Sequence, residues 1–160
     1  MYCARLVALG YSQVPRVDFT ENYAPVINDI TMRTMLVIMN LQGWKGEIID
    51  VEMAFLYGEL KEKIYMTIPK GLNEFKKKDL SKEFLVFNKL IYGLVQAARA
   101  WWKKFICSLE LIGFQKCLVD NCLMKRSNKN GTVMLCIYVD NVCCTGEENA
   151  ITKAIVLIIF

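Results

Sequence analysis

Apolar and polar positions alternate with two different periods along this chain, and the two periods separate strands from helices. Residues 2–9 read Tyr-Cys-Ala-Arg-Leu-Val-Ala-Leu, a strand that stops at Gly10. Residues 11–28 form a loop punctuated by Pro15 and Pro25. Asn28 or Asp29 can cap a helix running through Thr31-Met32-Arg33-Thr34-Met35-Leu36-Val37-Ile38-Met39, with Gly43 just past its end. Apart from Arg33 that helix is apolar on nearly every side, which predicts burial. Glu47-Ile48-Ile49-Asp50-Val51 is a short strand followed by a turn of helix through Phe55. Ile64-Tyr65-Met66-Thr67-Ile68 alternates as a strand and ends at Pro69, and Phe84-Leu85-Val86-Phe87 resumes one.

The second half changes period. From about Ala97 to Ile112, Ala98, Trp101, Phe105, Leu109 and Ile112 recur at spacings of three and four, which gives a helix one apolar face that Gly113 closes. Asn130-Gly131 is a hairpin signal ahead of the strand Thr132-Val133-Met134-Leu135-Cys136-Ile137-Tyr138-Val139. Asp140-Asn141 turns the chain into Val142-Cys143-Cys144-Thr145, and a helix begins near Glu147. Helices mix with antiparallel strands and no βαβ rhythm, so the expected class is α+β, an antiparallel sheet packed on helices. The apolar run over residues 154–160 suggests an element cut short.

Composition narrows the chemistry. The 160 residues fit one ordinary domain, and 54% hydrophobic content is enough to fill a core. There is no histidine, which removes every Ser/His or Cys/His arrangement and every imidazole-dependent zinc site. The seven cysteines are an odd number with no Cys-x-x-Cys pair, and most sit in apolar runs, so free buried thiols of a reducing compartment are expected. No signal peptide is visible, since Arg5 interrupts the first apolar run, and the longest apolar stretch falls far short of the roughly 20 residues of a membrane span. The net charge of +4 is local: residues 61–90 hold eight lysines against four acids, a stretch that either attracts phosphates or forms a solvated loop.

Two acids stand where apolar strands do not favour them. Asp50 interrupts Ile48-Ile49-Asp50-Val51, and Asp140 ends an apolar strand at a hairpin tip. Brought together, two carboxylates repel unless a divalent cation such as Mg²⁺ joins them. Alone, Asp140-Asn141 also reads as a plain turn. The surrounding motifs weigh in. Tyr138-Val139-Asp140-Asn141 between apolar strands resembles the Tyr-x-Asp-Asp box of reverse transcriptases, and Asp50-Val51-Glu52-Met53-Ala54-Phe55-Leu56-Tyr57-Gly58 resembles their first aspartate motif. Ala4-Arg5-Leu6-Val7-Ala8, Tyr23-Ala24-Pro25-Val26, Ile64-Tyr65-Met66 with Pro69-Lys70-Gly71, and Leu90-Ile91-Tyr92-Gly93-Leu94-Val95-Gln96-Ala97-Ala98-Arg99-Ala100-Trp101 follow in the family's order. Six ordered motifs across nearly the whole chain resemble the reverse transcriptase of copia-type LTR retrotransposons, a segment of their Pol polyprotein.

The resemblance implies a partial right-hand polymerase over residues 1–160, a palm with part of the fingers, lacking the thumb and ribonuclease H domains. It implies RNA-directed DNA polymerase activity, with an RNA or DNA primer–template and dNTPs as partners, other Pol domains such as integrase and ribonuclease H alongside, no membrane, and an intracellular location in cytoplasm and virus-like particles. Asp50, Asp140 and Asn141 take the catalytic positions, and with the Val51 carbonyl they are the implied ligands of two Mg²⁺ ions. Phe55 takes the place of the aromatic gate against a ribose 2′-hydroxyl, although it also reads as a core phenylalanine. Arg5 faces the triphosphate or is a solvated strand residue. Tyr92, Gly93 and Gln96 lie near the template–dNTP floor. The departures are Asn141 for the family's second box aspartate, Cys3, Leu9 and Val95 for lysines, and Ala98 for proline. An amide offers an oxygen but no charge, so weakened Mg²⁺ binding and impaired activity are expected of a degenerate copy. An active polymerase that tolerates Asn141, and a non-catalytic nucleic-acid-binding or interaction module that keeps only the fold, stand as alternatives.

Overall fold

The structure is a computed structural model and describes residues 5–69, 71–72 and 83–159. Residues 2–4 of the expected first strand, Lys70, most of the lysine-rich stretch and Phe160 lie outside the described residues. The chain divides into two compact units, residues 24–54 with 102–160 and residues 1–23 with 55–101.

The first of these units is built on an antiparallel five-stranded sheet. Its strands are β1 (Lys45–Asp50), β4 (Gln115–Lys116), β5 (Leu123–Asn128), β6 (Gly131–Tyr138) and β7 (Asn141–Gly146), in the order β1-β7-β6-β5-β4. β6 and β7 form the centre because their side chains alternate between two apolar sets. Val133, Leu135 and Ile137 are buried, as are Cys136, Val142 and Cys144. Helix α1 (Asp29–Leu41) is capped by the Asn28 side chain, which accepts from the Ile30 N–H at 2.9 Å. It reaches the sheet through Met35, whose Sδ takes the Cys136 Sγ–H at 3.1 Å. Helix α3 (Glu148–Ile159) buries Ala150, Ile151 and Ala154 against β6 and β7. Its start is held by Glu147, whose N–H donates to the Thr132 carbonyl (3.1 Å) and whose carboxylate accepts from the Thr132 N–H (3.0 Å). Buried Thr145 satisfies its hydroxyl on the Lys45 carbonyl at 2.9 Å.

The other unit holds the short antiparallel pair β2 (Tyr65–Thr67) and β3 (Phe84–Val86). Its core is Ala8, Ile64, Leu90, Leu94 and Ala97, with Phe55, Leu60 and Phe87 packed against it. Helix α2 (Ala97–Leu111) begins here and buries Trp101; further along it buries Phe105, Ile106 and Leu109, as its three-and-four spacing predicts. The α+β reading holds, with three α-helices among the described residues.

Four expectations are corrected. Residues 5–9 join no ladder among the described residues; the Ala8 N–H donates to the Tyr92 carbonyl (2.8 Å) and the Leu9 carbonyl accepts from the Ser12 N–H (2.9 Å), too few and too local for a strand. Helix α1 is not buried all round. It docks on one sheet face through Met35, while Ile30, Val37 and Leu41 stay exposed, because apolar content cannot supply a second layer to cover them. The strand carrying Asp50 is not buried either. β1 is an edge strand, with Ile48 77% exposed, so Asp50 meets water and the burial penalty does not apply to it. The return strand β7 begins one residue earlier than its apolar run, at Asn141, so the turn is Val139-Asp140. The apolar run from residue 154 belongs to α3, with Ala154 buried and Val156 and Leu157 about half exposed.

The described cysteines are free, with Cys122, Cys136 and Cys144 buried, Cys117 and Cys143 half-buried and Cys107 exposed. Burial pushes the Cys122 thiol up to about 11 and those of Cys136 and Cys144 up to about 12. The folded values lie above the roughly 8.5 of an unfolded thiol, so the stability linked to these protons is complete below that pH and declines as pH climbs toward the folded values. Relative to a Cys136→Val variant, the chain should therefore lose about 1 kcal/mol per pH unit between roughly pH 9 and 11, read from urea midpoints. A constant gap over that range would contradict a buried thiol. Gly146 pairs with Val133, and a Cβ on it would run into the Thr132 carbonyl oxygen. Gly146→Ala should cost at least about 2 kcal/mol in the same assay, since backbone, not a movable side chain, is in the way.

Candidate functional site

The register of the central strands determines where the two acids stand. Tyr138 pairs with Asn141 across the β6–β7 turn, and Asn141 pairs on its other side with Asp50, the last residue of β1. The Val51 N–H then donates to the Asp140 carbonyl at 3.0 Å, stitching the end of β1 to the turn itself. Asp50 thus ends β1 directly opposite Asn141, about one strand spacing of 4.8 Å away in backbone terms, and Asp140 precedes Asn141 in the adjoining turn. Both are solvent-accessible, Asp50 exposed and Asp140 half-buried. The turn is tight and strained: Val139 has φ 57°, a left-handed conformation that a β-branched residue rarely adopts and that costs about 1–3 kcal/mol. Met53 is also left-handed, at φ 53°, where the chain turns after Val51.

The donor set at this turn is made of hard oxygens. It comprises two carboxylates, the Val51 carbonyl, which already accepts from Ala54 N–H (3.2 Å), and the Asn141 amide oxygen. Such a set fits Mg²⁺, which takes one or two carboxylates and leaves positions for phosphates and water. Its charge is two negative, not three, and among the described residues no group of three or more His, Cys, Asp or Glu side chains converges. Asn141 turns its amide nitrogen inward, donating from Nδ2 to Asp140 Oδ1 at 3.2 Å. A neutral donor therefore occupies one Asp140 oxygen, which a cation would have to take from it.

The remaining expected site residues fall in the other unit and are described there. Phe55 and Tyr92 meet with ring centroids 4.5 Å apart, and the Arg5 guanidinium lies over the Tyr92 ring at 5.4 Å. Phe55 is half-buried, so its ring packs on the local core as well as on Tyr92. Gly93 follows at φ 90°, where a Cβ would collide with the Ala8 carbonyl, so only glycine lets residues 7–10 approach this closely. Gln96 is the exception to an open site. It is 5% exposed and its amide is already engaged, accepting from Gln13 Nε2 (3.1 Å) and donating to the Asp18 carbonyl (3.2 Å).

Two supporting residues, Gln13 and Asp120, lie outside the motifs, and a third, Arg99, stands inside one without a role read for it. Gln13 also accepts the Val95 N–H at 2.8 Å. Arg99 holds Glu21 (2.7 Å) and the Tyr23 carbonyl (2.6 Å), which ties two of the ordered motifs together. Asp120 accepts the N–H groups of Asn28 and Cys122, both at 2.9 Å, and so fixes the chain ahead of α1. None has a periodicity or spacing that marks it; each acts on a partner distant in sequence or on bare backbone.

Comparison with known proteins establishes the family. The chain is 35% identical over 152 residues to the retrovirus-related Pol polyprotein from transposon RE2 of Arabidopsis thaliana, covering 95% of this chain and 10% of that protein. It is 35% identical over 151 residues to the one from transposon TNT 1-94 of Nicotiana tabacum, covering 94% and 11%, and 36% identical over 147 residues to that from transposon RE1 of Arabidopsis thaliana, covering 92% and 10%. The chain thus spans about a tenth of the length of these relatives. No solved structure matches it. A family model described as reverse transcriptase (RNA-dependent DNA polymerase) matches residues 1–158, and the chain belongs to that family.

Proposed function

We propose that this chain is the fingers–palm portion of an RNA-directed DNA polymerase within a copia-type retrotransposon Pol polyprotein, and that the unit carrying the five-stranded sheet is its palm. The observation that supports the reading is the pairing of Asp50 with Asn141, which brings the end of β1 beside the turn that carries Asp140. The reaction is attack of a primer 3′-hydroxyl on the α-phosphate of a dNTP: a new P–O bond forms, the bond to the β-phosphate bridge breaks, and pyrophosphate leaves. Two Mg²⁺ ions, when bound, supply Lewis-acid activation of the attacking oxygen and neutralise the leaving one. Asp50, Asp140 and the Val51 carbonyl would hold them.

The chain's own residues divide the remaining work. Arg5 presents a cation for the triphosphate. The rings of Phe55 and Tyr92, tilted 49° to each other, form an aromatic surface for the sugar, and the Phe55 ring offers no polar partner for a 2′-hydroxyl. Gln96 supports that surface from its buried side. Asn141 contributes an oxygen without charge, and its Nδ2–H competes for Asp140, so this copy is a weak polymerase. The other domains of the polyprotein, the template and the primer are partners of the whole protein.

Primer extension tests this reading. In the chain fused to a family thumb domain, Asn141→Asp should raise Mg²⁺-dependent extension at least about tenfold, roughly 1.4 kcal/mol of barrier. Asp140→Asn should abolish what activity exists. No gain from Asn141→Asp, with the protein folded and primer–template bound, would move the cause of weak activity to Cys3, Val95 or another departure. Phe55→Ala should admit ribonucleotides, lowering the preference for deoxynucleotides by about tenfold. An unchanged preference would leave Phe55 as core alone.

A further inference from the structure

We propose that Gln13, a residue outside all six motifs, is a positioning residue that holds the Tyr92–Gly93 surface in place from behind; the inference rests on the nucleotide-binding role proposed for that surface. The segment from Tyr92 to Gln96 contains no regular secondary structure, and its local backbone bonds, Leu94 N–H to the Ile91 carbonyl (3.4 Å) and Ala97 N–H to the Leu94 carbonyl (3.1 Å), do not tie it to the rest of the unit. It is clasped at two points instead. At one end the Ala8 N–H donates to the Tyr92 carbonyl (2.8 Å), a Cβ on Gly10 would run into the Gly93 carbonyl, and a Cβ on Gly93 would run into the Ala8 carbonyl. At the other end Gln13 makes both bonds its amide offers: Oε1 accepts the Val95 N–H (2.8 Å) and Nε2 donates to Gln96 Oε1 (3.1 Å).

The clasp has its own support. Gln96 passes the contact on, donating from Nε2 to the Asp18 carbonyl (3.2 Å). Asp18 in turn closes its loop, its carboxylate accepting the Val14 N–H at 2.6 Å. The turn Gly10–Ser12 sets the spacing between the two ends, with the Gln13 N–H bonded back to the Gly10 carbonyl (3.1 Å). One short stretch, residues 8–13, therefore grips the segment on both sides of Gly93. Without the Gln13 amide, Gln96 keeps a buried oxygen with no donor and the Val95 N–H loses its acceptor, so the segment gains by turning outward to water. Tyr92 lies three residues away and would leave its contact with Phe55 and its place under Arg5. Gln13 touches neither nucleotide nor ring; it acts through Val95 and Gln96.

Two readouts separate this inference from the function it rests on. With 3,5-difluorotyrosine placed at position 92 of the full chain, Gln13→Leu, similar in size but without hydrogen bonds, should shift or broaden the fluorine resonance in the absence of any substrate. Gln13→Glu, which keeps the acceptor for the Val95 N–H, should move it less. An unchanged resonance in Gln13→Leu overturns the proposal. Binding of methylanthraniloyl-labelled dTTP with Mg²⁺ is the second readout, and Gln13→Leu should weaken it about tenfold, with Gln13→Glu between. Equal affinity in the parent and Gln13→Leu also overturns it. A parent chain that binds no nucleotide while the resonance moves as stated upholds the positioning role and refutes the nucleotide-binding reading. Should Gln13→Leu lose its cooperative melt, Gln13→Glu decides both readouts against the parent.

Discussion

β7 is paired on both sides, and the placement of every acidic ligand candidate depends on that double pairing. Asn141 is its first residue, bonded across to Tyr138 on one flank and to Asp50 on the other. Side chains along a strand alternate between faces, so a slip of one residue against β1 would turn Asp50 to the opposite side from its present neighbours. The ladder is held against such a slip at both ends. At the turn the Val51 N–H meets the Asp140 carbonyl. At the far end the Thr145 hydroxyl meets the Lys45 carbonyl, and Gly146 lets β6 come too close for any other residue. Between these pins the buried side chains of Leu135, Ile137, Val142 and Cys144 supply the packing energy that makes the register unique.

The turn itself combines a backbone cost with a deficit of charge. Val139 is held left-handed, a conformation maintained only because the strands on both sides over-determine it. Asp50 and Asp140 bring two acids to this end of the sheet at solvent-accessible positions. What the turn lacks is a third negative charge. The Asn141 amide fills the position sterically and even donates to Asp140, which makes the cation-free state more comfortable than a triple carboxylate would be. An asparagine here differs from an aspartate by one heavy atom and one unit of charge, so the two differ in electrostatics far more than in shape.

The other unit solves a different problem. Its candidate nucleotide surface lies on a segment without regular secondary structure, where flexibility is the default. Rigidity there comes from close backbone approach at Gly10 and Gly93, from the Gln13–Gln96 amide chain, and from Arg99 anchoring Glu21 and the Tyr23 carbonyl. Apolar packing of Phe55, Ile64, Leu90 and Leu94 supplies the base on which these polar bonds act.

Much of the fold was legible in local pattern. The spacing of Trp101, Phe105 and Leu109 foretold the buried stripe of α2, the alternation around Cys136 foretold β6, and Asn28 announced the cap of α1, because each depends on neighbours within a few residues. The acids Asp50 and Asp140 were identifiable as polar breaks in apolar runs, and the ordered motifs joined them into one family. Tertiary structure decided what local pattern cannot encode. Apolar content made α1 look buried, yet burial depends on how many layers cover it, and one sheet face covers only Met35 and its neighbours. Ile48 and Ile49 made β1 look central, yet its place at the sheet edge follows from strand order. The motif residue Gln96 proved to be sealed behind the surface it was expected to line, because Gln13 and Asp18, more than seventy residues earlier in the chain, had already taken its amide.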